Sequence, residues 1–196
     1  MIVRRCVVLM LIGLAASCRS SPPKRFYVLD AVPAQQRSTA VVKSSVQIAA
    51  VNIPPSLDRE EMVRESAPDA LEVSDVNRWG APLADMTQNV LTRDLVERLP
   101  AGKVIPPRIA AAPKTYEITV DILQFGTTTT TTTTTKAEVR FQGGWSLYRL
   151  GSDTPLLHRN VEFNVQPPAP DYAGQAQAMS QLLGKLADDM VATLRE

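Results

Sequence analysis

The sequence predicts an α+β domain: an antiparallel or mixed β-sheet with two main helices packed on one face. Three observations carry that expectation. Apolar residues recur at helical spacing in two segments, Leu83 to Leu99 and Tyr172 to Leu194. Other segments alternate with a period of two, most clearly Tyr116, Ile118, Val120 and Ile122 against Glu117, Thr119 and Asp121. The order of these segments, strands, helix, three strands, helix, suits a sheet whose helices are segregated to one side.

The 196 residues are enough for one domain with short appendages. Hydrophobic residues make up 44% and charged residues 21%, a globular composition. Residues 1–17 carry Arg4 and Arg5, and the remainder holds 19 basic residues against 20 acidic ones. That balance excludes nucleic-acid binding, which needs a concentrated cationic surface to neutralise phosphates. The two cysteines, Cys6 and Cys18, both precede the folded part, so no disulfide or thiolate metal site forms there. His158 is the single histidine, which excludes sites built on two imidazoles. Neither a metal nor another cofactor is expected.

The first residues, MIVRRCVVLMLIGLAASC, have two arginines, an apolar run from Cys6 to Leu14, and small residues ending on a cysteine. This is the layout of a secretory signal, and its apolar run falls short of the roughly 20 residues needed to span a bilayer. The tail Leu14-Ala15-Ala16-Ser17-Cys18 resembles a lipobox, with Ala15 where leucine is commonest, so Cys18 is the expected site of acylation. An ordinary signal cleaved near Ala16 would instead leave Cys18 as a stray exported thiol, a liability. Arg19 stands where an aspartate would retain a lipoprotein in the inner membrane, which favours the outer membrane. The expected organisation is a signal peptide at 1–17, a lipidated tether at 18–44 with a short strand near 25–29, and one domain at 45–196.

The tether is rich in Ser, Pro, Ala and Gln, and Pro22-Pro23 stiffens it locally. Val46, Ile48 and Ala50 alternate with Gln47 and Ala49 as a strand that Pro54-Pro55 ends. A hairpin follows, with arms around Met62 to Glu65 and Leu71 to Val76 and a turn at 66–70. Asn77-Arg78-Trp79-Gly80-Ala81-Pro82 leads into the first helix, and Pro100 with Gly102 stops it. Val104-Ile105 is a short strand. The strand from Tyr116 runs into nine threonines, Thr127 to Thr135, which are β-prone but lack the hydrophobic alternation that fixes a register. They read as a solvated extension of a hairpin whose return arm carries Val139, Phe141, Trp145 and Leu147. The next strand places Leu156, His158 and Asn160 on one face and Leu157, Arg159, Val161, Phe163 and Val165 on the other.

Catalytic chemistry has little to stand on. His158 has no visible nucleophile or acid to orient, no glycine-rich phosphate loop occurs, and the carboxylates are scattered. No catalytic residue is assigned. The four consecutive charges Asp58-Arg59-Glu60-Glu61, led in by Leu57, form either a solvated turn or a contact loop. Trp79 and Trp145 belong either to the core or to a ligand platform. Leu57, Asp58, Arg59 and Trp79 are the partner-binding candidates.

Several stretches, taken in order and spacing, resemble the PqiC/YmbA-type auxiliary lipoproteins of ABC and MCE transport systems. They are Phe26-Tyr27-Val28-Leu29, Val46-Gln47-Ile48 through Ile53-Pro54 with Leu57-Asp58-Arg59, and Asn77 to Leu83 opening a helix that ends at Leu99-Pro100. Asp121-Ile122-Leu123-Gln124-Phe125 and Trp145-Ser146-Leu147 complete the set. The resemblance spans roughly residues 24–194, and the threonine run departs from it. It implies a non-enzymatic outer-membrane lipoprotein that docks an MCE-domain periplasmic protein and serves the movement of phospholipid or a similar lipid. A ring-forming partner also makes a homo-oligomer an expectation of the resemblance. A structural envelope lipoprotein or a secretion-system assembly factor remains an alternative reading.

Overall fold

The computed structural model describes residues 22–34, 44–67, 70–130 and 136–194. The signal peptide, Cys18, most of the tether and the second half of the threonine run lie outside the described residues. The elements are β1 (Arg25–Tyr27), β2 (Val46–Asn52), β3 (Glu61–Ala67), β4 (Ala70–Trp79), α1 (Leu83–Arg98), β5 (Val104–Ile105), β6 (Tyr116–Thr130), β7 (Lys136–Arg149), β8 (Leu157–Val165) and α2 (Tyr172–Thr193). Among the described residues no helix is long and apolar enough to cross a membrane.

Strand β6 organises the sheet. Along one edge it pairs antiparallel with β7 from Tyr116↔Arg149 to Thr130↔Lys136, and β7 pairs antiparallel with β8. The other edge is shared by two strands in sequence. Parallel β2 covers the first part, from Val46↔Tyr116 to Asn52↔Asp121, and β3 meets the far part at Arg64↔Thr127, also parallel. Antiparallel β4 follows β3, and β1 lies parallel to β4 at the outer edge. Short β5 lies parallel to β2.

The sheet is therefore mixed, and its connectivity explains why. β2 and β3 run in the same direction along one edge of β6, so the chain between them must step out and back without reversing. Pro54 and Pro55 provide that step, because proline has no N–H to offer the ladder. The threonines that end β6 have no hydrophobic pattern of their own, yet Thr127 to Thr130 are held in register against Val139 to Lys136. Pairing with β7 supplies the register that their sequence lacks.

Both helices cover one face. Leu83, Met86, Val90, Leu91 and Leu95 of α1 and Met179, Leu182, Leu183, Leu186 and Met190 of α2 are buried against Val46, Ile48, Ile118, Val120, Phe141 and Trp145. Each such aliphatic side chain contributes about 1.5–3 kcal/mol when fully buried. Phe125 meets Phe141 edge to face, with centroids 5.6 Å apart. Trp145 is core, and its indole N–H donates to Asp189 at 2.9 Å.

The segment after β1 crosses the two helices as a strap. Leu29 is buried in the core, and the backbone N–H of Asp30 donates to Ser180 Oγ at 3.1 Å. Val32 donates its N–H to Asp94 Oδ1 at 2.8 Å and accepts from Arg98 Nη1 at 3.0 Å. Gly184 makes the crossing close, since a Cβ there would stand 3.2 Å from Val32 Cβ. Residues 29–34, in the middle of the expected tether, thus cross the helix pair, and β1 before them is held by β4.

Candidate functional site

The loop from Ile53 to Glu60 and the turn from Trp79 to Pro82 come together at the edge of the sheet. Pro54 starts a tight turn in which its carbonyl accepts from Leu57 N at 2.8 Å and Asp58 N at 3.0 Å. Leu57 folds inward and packs, half-buried, against the core, which turns Asp58, Arg59 and Glu60 out to solvent. The sequence motif thus divides its labour: the leucine holds the loop down and the charges are displayed.

Asp58 has a second task. Helix α1 begins after Pro82, a residue with no side-chain acceptor, and Pro82 makes no side-chain cap bond. Asp58 Oδ1, reaching across from the loop, accepts from Ala84 N at 3.3 Å. It therefore serves one of the unsatisfied N–H groups that open any helix. Its charge also sits at the positive end of the helix dipole.

The charges next to it interlock. Arg59 Nε donates to Glu61 Oε2 at 3.0 Å, and Arg78 Nη1 donates to Glu60 Oε2 at 3.1 Å and to Glu61 Oε1 at 2.9 Å. The Arg59 hydrogen bond, a backbone N–H and the Arg78 charge hold the Glu61 carboxyl below its usual range. On the strand side, Trp79 donates its N–H to Glu60 O at 2.7 Å, and its side chain is 5% exposed. Gly80 donates to Tyr27 O at 2.8 Å, and a Cβ at Gly80 would meet Val28 Cγ1 at 3.0 Å. Glycine at this position lets β1 close against the turn.

The result is a cleft of about 560 Å³ lined by Phe26, Asp58, Arg59, Glu60, Trp79, Gly80, Ala81 and Pro82. Of the four partner-binding candidates, the structure brings Asp58, Arg59 and Trp79 to the cleft wall, while Leu57 supports the loop from behind. Asn77 to Trp79, read from sequence as the lead into the helix, are the last residues of β4. Phe26 is the lining residue that sequence reasoning did not place. Its signal was present in Phe26-Tyr27-Val28-Leu29, but a three-residue strand does not show which edge it will join.

His158 lies exposed on β8, on the polar face the alternation gave it. Its Nε2 lies 3.1 Å from Asn160 Oδ1 and its Nδ1 2.9 Å from Ser146 Oγ, both within hydrogen-bond distance. The chain of hydrogen bonds ties β7 to β8. Among the described residues no group of three or more His, Cys, Asp or Glu could hold a metal ion.

A family model described as an ABC-type transport auxiliary lipoprotein component matches residues 27–191, which include the strap, all of the cleft lining but Phe26, the first helix and all but the last two residues of the second. The chain belongs to that family. The boundaries of the match agree with the stretches that carried the sequence resemblance. Among solved structures, an uncharacterised protein has 16% identity and a TM-score of 0.69, covering 88% of this chain and 99% of that one. Protein XCC0632 from Xanthomonas campestris, of the DUF330 family, has 17% identity and a TM-score of 0.66, covering 87% of this chain and 95% of that one. At such identities the likeness concerns the fold. No curated protein matches the chain. As a member of the family, the chain is an auxiliary lipoprotein component of ABC-type transport.

Proposed function

We propose that the chain is anchored through acylated Cys18 to the periplasmic face of the outer membrane. There it acts, without catalysing a reaction, as the docking component of an MCE-type lipid transport system. The observation that carries this reading is the family match over residues 27–191, which leaves outside it only the signal, the first part of the tether through Phe26, and residues 192–196. The lipobox ending on Cys18, followed by Arg19, supplies the anchor and its membrane. More than one acyl chain is needed for stable anchoring, because a single chain binds only marginally.

The Trp79 cleft supports the docking part. A recess backed by buried Trp79 and rimmed by Asp58, Arg59 and Glu60 has the dry floor and polar rim that protein interfaces use to take an anchoring side chain. Arg59 is already paired with Glu61 and Glu60 with Arg78, and Asp58 accepts from the N–H of Ala84, so a partner need not bring a matching ion for each charge it covers. The partner in this reading is an MCE-domain periplasmic protein, and phospholipid is the cargo of the assembled system.

Photo-crosslinking in cells tests the proposal. A photoreactive residue at Arg59 or Ala81 should capture an MCE-domain protein, whereas the same residue at exposed Leu156 on the far side of the sheet should not. Capture of no MCE-domain protein at either cleft position overturns the docking reading. Cys18→Ala should abolish palmitate incorporation and leave the signal uncleaved or the protein soluble, and a Cys18→Ala protein of mature length that still resists a carbonate wash overturns the lipid anchor.

A further inference from the structure

We propose that the face of β1 carrying Lys24, Phe26 and Val28 seats on the anionic surface of the bilayer that holds the lipid anchor. This rests on the acylation of Cys18 proposed above. Alternation along the strand puts these three side chains on one side and Arg25 and Tyr27 on the other. Tyr27 is accounted for, since its hydroxyl donates to Asn77 Oδ1 at 3.2 Å and its ring packs on the core. Phe26 and Val28 have no such cover, at 65% and 64% exposed.

Phe26 also separates two recesses. One is the Trp79 cleft, and the other, about 540 Å³, lies between residues 26–33 and the first half of α2, where Ala173 and Ala176 line it. An aromatic and a valine therefore stand between two recesses with small apolar side chains in their walls. Lys24 has no hydrogen bond or ion pair among the described residues. The carboxylates lining the two recesses beside Phe26 are each answered, Asp30 by Arg93 at 3.0 Å, Glu60 by Arg78 at 3.1 Å and Asp58 by the N–H of Ala84 at 3.3 Å. The face offers a free cation beside apolar side chains, which is what an interfacial anionic membrane site takes.

The chain before the strand says which surface is within reach. Cys18 precedes Phe26 by eight residues, and an extended chain covers about 3.3–3.6 Å per residue, so Phe26 lies no more than about 30 Å from the anchoring sulfur. Pro22 and Pro23 restrict how that span can fold. The direction of the strand agrees. β1 is parallel to β4 and so runs opposite to β3 and β6. Its incoming end therefore points the same way as the hairpin end of β6 and β7, away from Leu150 at the other end of the sheet. The first ordered strand thus has its exposed cation and aromatic where the anchor brings the bilayer.

The test uses the mature acylated protein, cleaved before Cys18 and purified from membranes, with Val28→Cys carrying an environment-sensitive NBD label. Acylated Cys18 is a thioether and does not react. In phosphatidylcholine vesicles containing phosphatidylglycerol, the label should shift to the blue with a several-fold gain in intensity. High salt and Lys24→Glu should reduce both changes, and a label at Leu150→Cys should show neither. A water-like spectrum at Val28→Cys, on protein whose mass confirms the acyl chains, overturns the seating and leaves the anchor standing. A missing acyl mass in the same sample overturns both. A shift of equal size in pure phosphatidylcholine, or one that needs an added protein partner, assigns the face to a different contact and overturns the proposal.

Discussion

Two clusters of arginine and carboxylate hold down two segments of this protein, one buried and one at the surface. Inside, Arg98 Nε donates to Asp188 Oδ1 at 2.6 Å and its Nη1 donates to Asp94 Oδ1 at 3.2 Å, with both Asp94 and Arg98 bonded to the strap at Val32. Outside, Arg59, Arg78, Glu60 and Glu61 fasten the loop beside the cleft. The same functional groups end with opposite electrostatics. Burial pushes the Asp94 carboxyl up to about 6, against the pull of the Val32 N–H and the Arg98 charge, with Asp188 adding to the rise and Arg93 opposing it. Half-buried Glu61 moves down instead, because the Arg59 hydrogen bond and a backbone N–H outweigh its smaller loss of hydration. Desolvation, and not the identity of the partners, sets the sign.

That contrast orders the expected effects of substitution. Arg98→Ala leaves Asp94 as a buried charge and removes the donor to Val32 O, and its expected cost is about 3–5 kcal/mol at neutral pH. Urea denaturation measures it directly. Exposure of the strap to a protease should rise in parallel, and an unchanged midpoint would show that the buried pair does not hold the strap.

Asp94→Asn removes the titration but keeps an oxygen for Val32. An aspartate whose folded-state pKa is raised contributes stability that is complete below the ordinary value of 3.8 and is lost as pH rises through about 6. The stability of the natural chain relative to Asp94→Asn should therefore fall between about pH 4 and pH 7, by about 2–3 kcal/mol. Denaturation midpoints across that range, compared for the two proteins, check the sign. A difference that stays flat with pH would remove Asp94 as the source.

Asp58→Ala isolates the loop's contribution to α1. Loss of the acceptor for Ala84 N should cost about 1 kcal/mol, the usual value for a helix cap. Hydrogen exchange in the first turn of α1 should accelerate while the centre of the helix is unaffected. The smallest effect belongs to Glu61→Gln, which should leave the denaturation midpoint almost unchanged, as for ion pairs close to solvent. Its influence should fall on crosslinking at Ala81, since it loosens the Arg59 and Arg78 side chains beside the cleft.

The two clusters also differ in how much of them could be read in advance. Asp94 and Arg98 are four residues apart on α1, the spacing that places an acid and a base on one helix turn, so the pair was present in the sequence. Its burial was not, because Asp94 becomes inaccessible only when residues 28–34 cross the helices. The outer charges were visible as Asp58 to Glu61, and the loop they form was placed correctly. Arg78, which bridges two of them, comes from the end of β4, seventeen and eighteen residues away in sequence from Glu61 and Glu60.

The elements themselves were largely legible. Both helices, the β3–β4 and β6–β7 hairpins, the two-residue β5 and the polar side of β8 follow from periodicity and from proline and glycine stops. These are local signals, set by side chains two, three or four positions apart. They carry no information about which strand edges meet. The parallel alignment of β2 and β3 along β6, the register of the first threonines, the strap across the helices and the cleft at Trp79 all depend on contacts between residues tens of positions apart. Those contacts are selected by the burial of a shared core, which no short window of sequence contains.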